Sequence, residues 1–352
     1  MRLGTKAWLA GLSLGMGLLA HDRYQRRKRL EASNVLSGKV ALVTGGSRGL
    51  GLLLARELAR EGCRVAICAR DERELERAKF ELSRKGIAVM TAVCDVGDRA
   101  QVEELVANVR DKLGPIEVLV NNAGIIAVGP IATMTIPDFQ NALDVMFWGT
   151  VYATMAALPQ MLERGEGRII NITSIGGRVS VPHLAPYCSA KFAAIGFSQG
   201  LGTELSRRAI KVTTVVPGLM RTGSHVNALF KGHQNAEYKW FGLSASLPFL
   251  SMDAEKAARE IVLASKRGDA QYTVGFPARI LARFAGLFPG ASREVLSLVN
   301  RFLPGADSQD PQMLRKGFEL EREGEPLLWS LLTGLGRKAS RRHQEYRRPF
   351  YS

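Results

Sequence analysis

The stretch V-A-L-V-T-G-G-S-R-G-L-G, residues 40–51, decides the fold of this chain. An apolar run ends at Thr44, a turn containing three glycines follows, and a helix-length amphipathic segment begins at Leu50. A buried strand that passes through a tight glycine turn into a helix is the first unit of a doubly wound parallel sheet. We therefore predict an α/β chain of the Rossmann-like type.

The segments that follow keep the same alternation of short β-branched runs and helix-length segments, which is typical of a parallel sheet with crossover helices. This pattern extends over residues 37–275, which we interpret as one catalytic domain. The predicted strands cover 40–44, 64–69, 87–93, 116–121, 168–173, 211–216 and 271–274. The predicted helices cover 50–61, 71–85, 101–113, 137–163, 187–208 and 253–266.

Composition excludes several classes of protein. The chain has 352 residues, 46% of them hydrophobic and 23% charged, and these proportions exclude intrinsic disorder for the bulk of the chain. Its four cysteines have the spacing of neither a zinc site nor a disulfide framework, and its five histidines form no metal-binding motif. We predict no metal and reduced thiols.

The net charge of +15 is concentrated towards the two ends of the chain. Residues 7–20 are apolar, and the basic block of residues 26–29 follows them. We interpret residues 1–36 as a membrane anchor whose flanking charge keeps the catalytic part on the cytoplasmic side. An interfacial helix and a cleaved signal peptide remain alternatives, because the apolar run is short for a spanning helix. No nucleic-acid motif accompanies the charge, so we expect no nucleic-acid partner.

Residues 276–352 form a C-terminal helical extension in this interpretation. Within it, residues 279–303 place apolar side chains at helical spacing, with four arginines interleaved and Pro289-Gly290 as a break. This pattern indicates a basic amphipathic hairpin, which could pack on the domain, on a partner subunit or on a membrane. We expect a polar connection over 307–325 and a last helix over 327–344.

The glycine turn carries the first chemical prediction. Gly45 permits a tight turn, Gly49 lets the backbone approach a pyrophosphate, and Gly51 allows the helix to pack closely on the strand. The N-terminus of the helix then offers amide donors and a positive dipole end to the phosphates. Strand, turn and helix together predict a dinucleotide site.

The end of the second predicted strand indicates which dinucleotide is bound. An acidic side chain at this place would select NAD by binding the ribose hydroxyls, but the chain has Ala69 followed by Arg70. Arg70 and Arg48 could together hold a 2′-phosphate. We predict NADP, with NADPH preferred over NADH.

Further motifs resemble those of the short-chain dehydrogenase/reductase family, in its single-domain subtype, over residues 38–275. The chain has Asn121-Asn122-Ala123-Gly124 after the fourth strand, Ser174 after the fifth, and Tyr187 four residues before Lys191. The resemblance implies an oxidoreductase that acts on carbonyl or alcohol groups and forms a homo-oligomer. The cofactor-binding residues that follow from the turn, the arginines and the resemblance are Thr44, Gly45, Ser47, Arg48, Gly49, Leu50, Gly51, Arg70, Asp95, Val96, Asn121, Ala123, Gly124, Tyr187, Lys191, Pro217, Gly218 and Thr222.

Ser174, Tyr187 and Lys191 are the predicted catalytic residues. Tyr187 and Lys191 share one helix face, so the ammonium should lower the pKa of the phenol towards neutral pH. Tyr187 could then give its proton to a carbonyl oxygen that Ser174 holds. One position departs from the family pattern: Met146 stands where an asparagine usually lies on the long helix before the serine.

The connection 219–250 is rich in apolar side chains and would form a lid, although most of these side chains are expected to pack on the domain itself. A lipophilic ketone, aldehyde or alcohol is the predicted substrate, and His183 is expected to be a solvated loop residue. The alternative function is a nucleotide-binding protein that has lost catalysis and serves as an interaction module. A sugar-nucleotide epimerase is disfavoured by the glycine spacing.

Overall fold

The computed structural model describes residue 28 and residues 33–246, 251–306, 312–321 and 333–346. The predicted N-terminal anchor, residues 7–20, therefore lies outside the described residues, as do Leu247, Phe249 and Leu250 of the lid. No helix in the described ranges is long and apolar enough to cross a membrane.

A parallel sheet of seven strands forms the centre of the molecule, with strand order β11-β7-β6-β4-β1-β2-β3. The chain order reverses between β1 and β4, and this is the switch point beside which ligands bind in such sheets. The predicted doubly wound α/β fold is confirmed. The strands of this sheet are β1 (Val40–Thr44), β2 (Arg64–Ala69), β3 (Val89–Val93), β4 (Ile116–Asn121), β6 (Glu166–Ile172), β7 (Ala209–Pro217) and β11 (Gln271–Val274).

Helices cover both faces of the sheet. One core packs α1 (Gly49–Arg60), α2 (Glu72–Ser83) and α8 (Ala254–Arg267) on one face. A second core packs α3 (Arg99–Leu113), α5 (Gly149–Arg164) and α6 (Ala185–Glu204) on the other. The sheet is thus buried on both sides, and its strands are accordingly almost wholly apolar.

The predicted single helix over 137–163 is wrong in one respect. The structure divides it into α4 (Ile136–Leu143), a π-helical turn at Asp144–Trp148, and α5. The extra residue in the π turn shifts the helix face, so that Met146 points into the core and Val96 packs directly against Gly149. Turns of this kind arise from local packing and leave no periodicity that a sequence pattern would reveal.

The connection after β7 forms a small lid over the carboxyl edge of the sheet. Its elements are β8 (Leu219–Arg221), β9 (Leu229–Phe230), α7 (Gln234–Ser246) and β10 (Ser251–Asp253). Strand β9 also pairs with β5 (Ala127–Val128), which ties the lid to the loop after β4.

The C-terminal extension is only partly as predicted. Helices α9 (Phe276–Leu287) and α10 (Pro289–Asn300) form the expected hairpin. The expected polar connection is wrong for its described part, because β12 (Arg315–Lys316) pairs antiparallel with β9 and α11 (Gly317–Glu321) buries Leu320 under the lid. Of the last predicted helix, the described residues contain α12 (Gly334–Arg342).

Candidate functional site

The glycine turn is held by side chains from the end of β4. The Thr44 hydroxyl accepts hydrogen bonds from the backbone N–H groups of Asn122 and Ala123, at 3.0 and 3.2 Å. The Asn122 amide in turn donates to the carbonyl oxygens of Thr44 and Gly45. These bonds lock the turn to the neighbouring strand, so the N-terminus of α1 is fixed at the carboxyl edge of the sheet.

Each glycine of the turn has a distinct physical role. A Cβ atom on Gly45, whose φ is +63°, would lie 2.9 Å from the Ala123 Cα, and one on Gly51 would overlap the carbonyl oxygen of Gly45. Gly49, with φ of +55°, adopts a left-handed conformation that favours glycine. These constraints agree with the roles that the sequence assigns to Gly45 and Gly51, namely a tight turn and close packing of helix on strand.

The two arginines proposed for the 2′-phosphate are Arg48, just before α1, and Arg70, just after β2. Arg70 follows β2, has a largely exposed side chain and approaches the Asp95 carboxylate at 3.6 Å. Arg48 is engaged more tightly, because it forms an ion pair of 2.6 Å with the buried Glu74, which also accepts a hydrogen bond from Ser47. Glu74 was missed by sequence reasoning, since an acidic residue on a charged helix gives no signal.

The structure brings the three predicted catalytic residues together. Ser174 caps a short 3-10 turn after β6, where its side chain accepts a hydrogen bond from the Gly176 N–H, and it is near enough to Tyr187, at the start of α6, to lower the pKa of the phenol. One turn further along α6, the Lys191 Nζ donates to the carbonyl oxygen of Ile172 at 2.9 Å. Lys191 is only 4% exposed. The buried Lys191 and the partly buried Ser174 and Tyr187 therefore form one group beside the lid.

The expected lowering of the Tyr187 pKa is wrong for this arrangement. Burial raises the pKa of Tyr187 to about 12, and the hydrogen bond to Ser174 lowers it only in part. Burial also lowers the pKa of Lys191 to about 8. Desolvation disfavours the charged form of a group, so it raises the pKa of the phenol and lowers the pKa of the ammonium. Attraction between the two charges alone would lower the pKa of the phenol, but the cost of burying the charged forms is larger.

Asn121, at the end of β4, is hydrogen-bonded to side chains of a neighbouring helix and strand. Its amide nitrogen donates to Thr154 on α5 and to Asn171 on β6, at 3.0 and 2.8 Å. Asn171 continues the chain to Ser198, which is hydrogen-bonded to Thr214. The buried Asn121 Oδ1 has no hydrogen-bond partner among the described atoms. The network ties three strands to two helices behind the Gly-rich turn.

Met146 fills a hydrophobic position. It is 1% exposed, belongs to the core beneath α5, and lies 3.6 Å from where a Cβ on Gly124 would stand. Its carbonyl oxygen accepts a hydrogen bond from Thr150. The departure from the family pattern is therefore absorbed by apolar packing.

The remaining predicted residues line the same edge. Gly218 follows β7 and packs so closely on Ala278 that a Cβ there would lie 2.8 Å from the alanine Cβ. Thr222 is buried and accepts a hydrogen bond from the Ser224 N–H. Leu50 and Val96 are buried in the two cores.

The lid covers Tyr187 with apolar side chains. Phe230, Tyr238 and Phe241 are buried in one cluster, and Tyr187 packs against it. Ile126, Val181 and Trp240 are partly buried around the same cluster. The lid aromatics therefore mainly pack the lid on the domain, and the cluster shields the phenol from water.

His183 is not a solvated loop residue, so that expectation is wrong. Its side chain is buried, and its Nδ1 lies 2.7 Å from an Oε1 of the fully buried Glu237. The indole of Trp240 donates to the other oxygen of the same carboxylate at 2.6 Å. The pair joins the loop after Ser174 to α7, and only the tertiary structure brings these distant positions together.

The described C-terminal residues also reach the Gly-rich turn. The backbone N–H of Gly49 donates to the carbonyl oxygen of His343 at 2.9 Å, and the Arg48 guanidinium lies 3.2 Å from the carboxylate of Glu345. Burial raises the pKa of Glu345 to about 7, against the lowering effect of Arg48. Sequence analysis assigned no role to either residue.

Comparison with known proteins agrees with this geometry. The family model described as short chain dehydrogenase matches residues 39–230. A putative ketoacyl reductase of Streptomyces coelicolor is 42% identical over 186 residues, which cover 52% of this chain and 71% of that protein.

Two solved structures of the same kind also match. A variant of actinorhodin polyketide ketoreductase with NADPH has a TM-score of 0.60 and 34% identity, over 67% of this chain and 95% of that one. L-sorbose reductase of Gluconobacter frateurii, complexed with NADPH and L-sorbose, has a TM-score of 0.60 and 28% identity, over 68% of this chain and 95% of that one.

Proposed function

Since this chain belongs to the short-chain dehydrogenase/reductase family of oxidoreductases, we propose that it reduces a carbonyl group with NADPH, using Tyr187 as the proton donor. One observation supports this most directly. A partly buried tyrosine, close to Ser174 and one helical turn from a buried lysine, lies at the carboxyl edge of the sheet that also carries the Gly-rich turn.

The residues present fit a dinucleotide phosphate. Gly49 has no Cβ at the N-terminus of α1, where a carboxylate lies against it, so an anion can approach the backbone there closely. Ala69 stands where an acid would bind ribose hydroxyls, and the exposed Arg70 adjoins it. The residues that would hold the cofactor are the Gly-rich turn, Arg70, Asn121 to Gly124, Lys191 and the segment from Pro217 to Thr222. When bound, the nicotinamide would supply the hydride.

The chain's own groups handle the proton. With its pKa raised to about 12, Tyr187 is protonated at neutral pH and can donate to a carbonyl oxygen as negative charge develops there. Ser174 orients that oxygen by a second hydrogen bond. Lys191, fixed by the Ile172 carbonyl, supplies positive charge near the phenol and lowers the cost of the phenolate. The apolar cluster under the lid excludes water.

Titration of the purified protein with NADPH and NADH, followed by a carbonyl-substrate assay, tests this function. We expect NADPH to bind more tightly than NADH, and Tyr187→Phe to lose about 10²- to 10⁴-fold in kcat while it still binds NADPH. Failure to bind either cofactor would refute the proposal. Binding without turnover of any carbonyl would instead favour a nucleotide-binding interaction module.

We propose that the substrate is lipophilic, because Ile126, Val181 and Trp240 pack against the same apolar cluster as Tyr187. A series of ketones of increasing chain length would measure this. We expect kcat/KM to rise by about threefold or more per added methylene until the pocket is full, since each buried CH2 contributes about 0.8 kcal/mol. A flat series, with small polar ketones equally good, would contradict it.

We also propose that the protein associates with a membrane, with its catalytic domain on the cytoplasmic side. Residues 7–20 would serve as the N-terminal anchor. The hairpin of α9 and α10 supports this, because its apolar side chains, among them Phe276 and Leu287, are 72 and 73% exposed, and Phe302 just after it is 83% exposed. Three arginines against one glutamate make the hairpin basic, and Arg301 follows it directly, which suits an anionic lipid surface.

Sedimentation with lipid vesicles tests the hairpin. We expect more protein to bind vesicles that contain phosphatidylserine than vesicles of phosphatidylcholine alone, and Phe284→Asp with Phe288→Asp to reduce that binding. Phe80→Asp is the matched control, since Phe80 is 66% exposed on α2, away from the hairpin. Unchanged vesicle binding in the hairpin variant, with loss of an oligomer seen by sedimentation velocity, would assign the hairpin to a subunit interface. The family resemblance also predicts a homo-oligomer, which the same sedimentation experiment measures.

A further inference from the structure

The C-terminal residues 333–346, here named the tail segment, dock across the proposed cofactor site. Helix α12 lies against the lid: Ser340 is fully buried on Gly223, and Gly336 packs against Ser246 and His225. At its end, Arg342 forms an ion pair with Glu255 on α8, and Gln344 donates to Glu81 on α2. The tail segment thus spans from the lid to the helix that follows β2.

Glu345 occupies the centre of this crossing. A Cβ on Gly49 would overlap its carboxylate, so Glu345 fills the space that the glycine leaves open. The same carboxylate is 3.2 Å from the Arg48 guanidinium and accepts a hydrogen bond from Asn227 at 2.8 Å. The backbone N–H of Gly49, a donor at the N-terminus of α1, is used by the carbonyl oxygen of His343.

These contacts use groups that the proposed function assigns to phosphate. An anionic carboxylate lies at the N-terminus of α1, beside an arginine, where a phosphate group would find the same donors. A dinucleotide held by both the Gly-rich turn and the segment from Pro217 to Thr222 would have to pass between Arg48 and Asn227, and Glu345 bridges these two residues.

We propose that the tail segment is an intramolecular competitor of the cofactor, so that the docked tail closes the phosphate side of the site and the dinucleotide binds only when the tail has moved away. This inference rests on the proposed function. The apparent Kd for the cofactor then equals the Kd of the tail-released protein divided by the fraction of molecules in which the tail is released. A phosphate that replaces the carboxylate of Glu345 and the carbonyl of His343 can accept from Arg48 and Gly49 in their place, which makes the exchange feasible.

The buried state of Glu345 is consistent with reversible docking. Burial raises the pKa of Glu345 to about 7, because desolvation destabilises the charged carboxylate and its contacts with Arg48 and Asn227 offset this only in part. The other charged group near it is Glu74, whose repulsion acts in the same direction. The carboxylate is therefore held less tightly than its contacts alone suggest.

A disulfide across the contact between α12 and α7 tests the competition. A Cβ on Gly336 would lie 3.4 Å from the Ser246 Cβ, close to the separation of about 3.8 Å found in disulfides. We expect the double variant Ser246→Cys with Gly336→Cys, once oxidised with diamide, to bind NADPH at least about tenfold more weakly than after reduction. Wild-type protein treated with the same oxidant is the control for its four cysteines, all of which are buried.

A release variant gives the opposite change. Ser340→Arg places a large charged side chain in the buried contact with Gly223, and Leu335→Arg places the same side chain on the exposed face of α12, where Leu335 is 49% exposed. We expect Ser340→Arg to bind NADPH at least about tenfold more tightly than wild type, and Leu335→Arg to bind as wild type does. Addition of NADPH should also accelerate tryptic cleavage after Arg337 and Lys338 in the wild type.

The outcomes separate the two proposals. If none of these proteins binds NADPH, the proposed function fails. If wild type, Ser340→Arg and the oxidised double variant bind NADPH equally well, the function stands and the competition is refuted. Protection of the tail segment from trypsin by NADPH would also refute it, because the cofactor would then bind with the tail in place.

Discussion

The Nζ atom of Lys191 lies 5.9 Å from the centroid of the Tyr187 ring, and it donates its hydrogen bond to the Ile172 carbonyl at 2.9 Å. The two side chains are close enough for their charges to interact, yet burial dominates the pKa of each. The phenol is thereby kept protonated and the ammonium is made easier to deprotonate. This relationship favours proton donation over proton abstraction at neutral pH.

The first prediction follows from the protonated state of Tyr187. Alcohol oxidation needs the phenolate as a base, and with a pKa of about 12 its fraction increases tenfold per pH unit below that value. We expect log kcat for oxidation to rise with a slope of about one below about pH 8, where Lys191 keeps its charge, and less steeply above it, while carbonyl reduction shows no such rise. Stopped-flow rates in both directions would measure this. A plateau for oxidation near neutral pH would show that the phenol ionises much more easily.

Lys191→Met should stabilise the protein and abolish reduction. The pKa of Lys191 is lowered from 10.5 to about 8, so the folded state pays for a buried ammonium at every pH below 8, and this penalty disappears as the pH rises towards 10.5. After subtraction of the lost hydrogen bond to Ile172, we expect a gain of about 2 kcal/mol in the free energy of unfolding near neutral pH. Urea unfolding at neutral and at high pH would measure it.

Lys266→Met is the matched control for this stability effect. Lys266 is equally buried, but it forms an ion pair of 2.7 Å with Glu61. Its replacement removes a compensating charge, so we expect a loss of stability of about 1 kcal/mol. A gain in the control, or a loss in Lys191→Met near neutral pH, would contradict the desolvation argument.

Arg70→Ala should reduce the preference for NADPH. A charge-assisted hydrogen bond to phosphate contributes about 1.5–3 kcal/mol, so we expect the Kd for NADPH to rise about 10- to 100-fold while that for NADH stays within about twofold. Fluorescence titration with both cofactors measures the ratio. Arg73 lies in the same region but within α2, and Arg73→Ala serves as the charge-matched control. An equal loss of affinity for both cofactors would show that Arg70 does not bind the 2′-phosphate.

Met146→Asn should destabilise the protein. The methionine is 1% exposed in an apolar core, and an amide there would lose its hydrogen bonds with water, at a cost of about 1–3 kcal/mol in addition to the lost packing. Met146→Leu conserves volume and should cost less than about 1.5 kcal/mol. Thermal unfolding of both variants distinguishes them. If the asparagine variant is as stable as wild type and turns over faster, then position 146 can satisfy the hydrogen bonds of an amide, and the prediction is wrong.

Local sequence patterns were sufficient for the elements that hold the site. The bounds of β1, β2, β4 and β11 were predicted to the residue, because their apolar runs end abruptly at turn residues. Ser174, Tyr187 and Lys191 could be found because a strand end and a helical i, i+4 spacing put them on one edge. The π turn at Asp144–Trp148 could not be found, since it depends on how α5 packs on Val96.

The sequence by itself determined the parallel sheet, the Gly-rich turn and the identity of the side chains at the carboxyl edge, because periodicity and turn chemistry are local properties. Only the tertiary structure decided the direction of the Tyr187 pKa, the burial of the His183–Glu237 pair and the position of Glu345 against Gly49. These depend on desolvation and on contacts between residues far apart in the chain. Neither the desolvation of a side chain nor its contacts with distant residues can be evaluated until the fold is known.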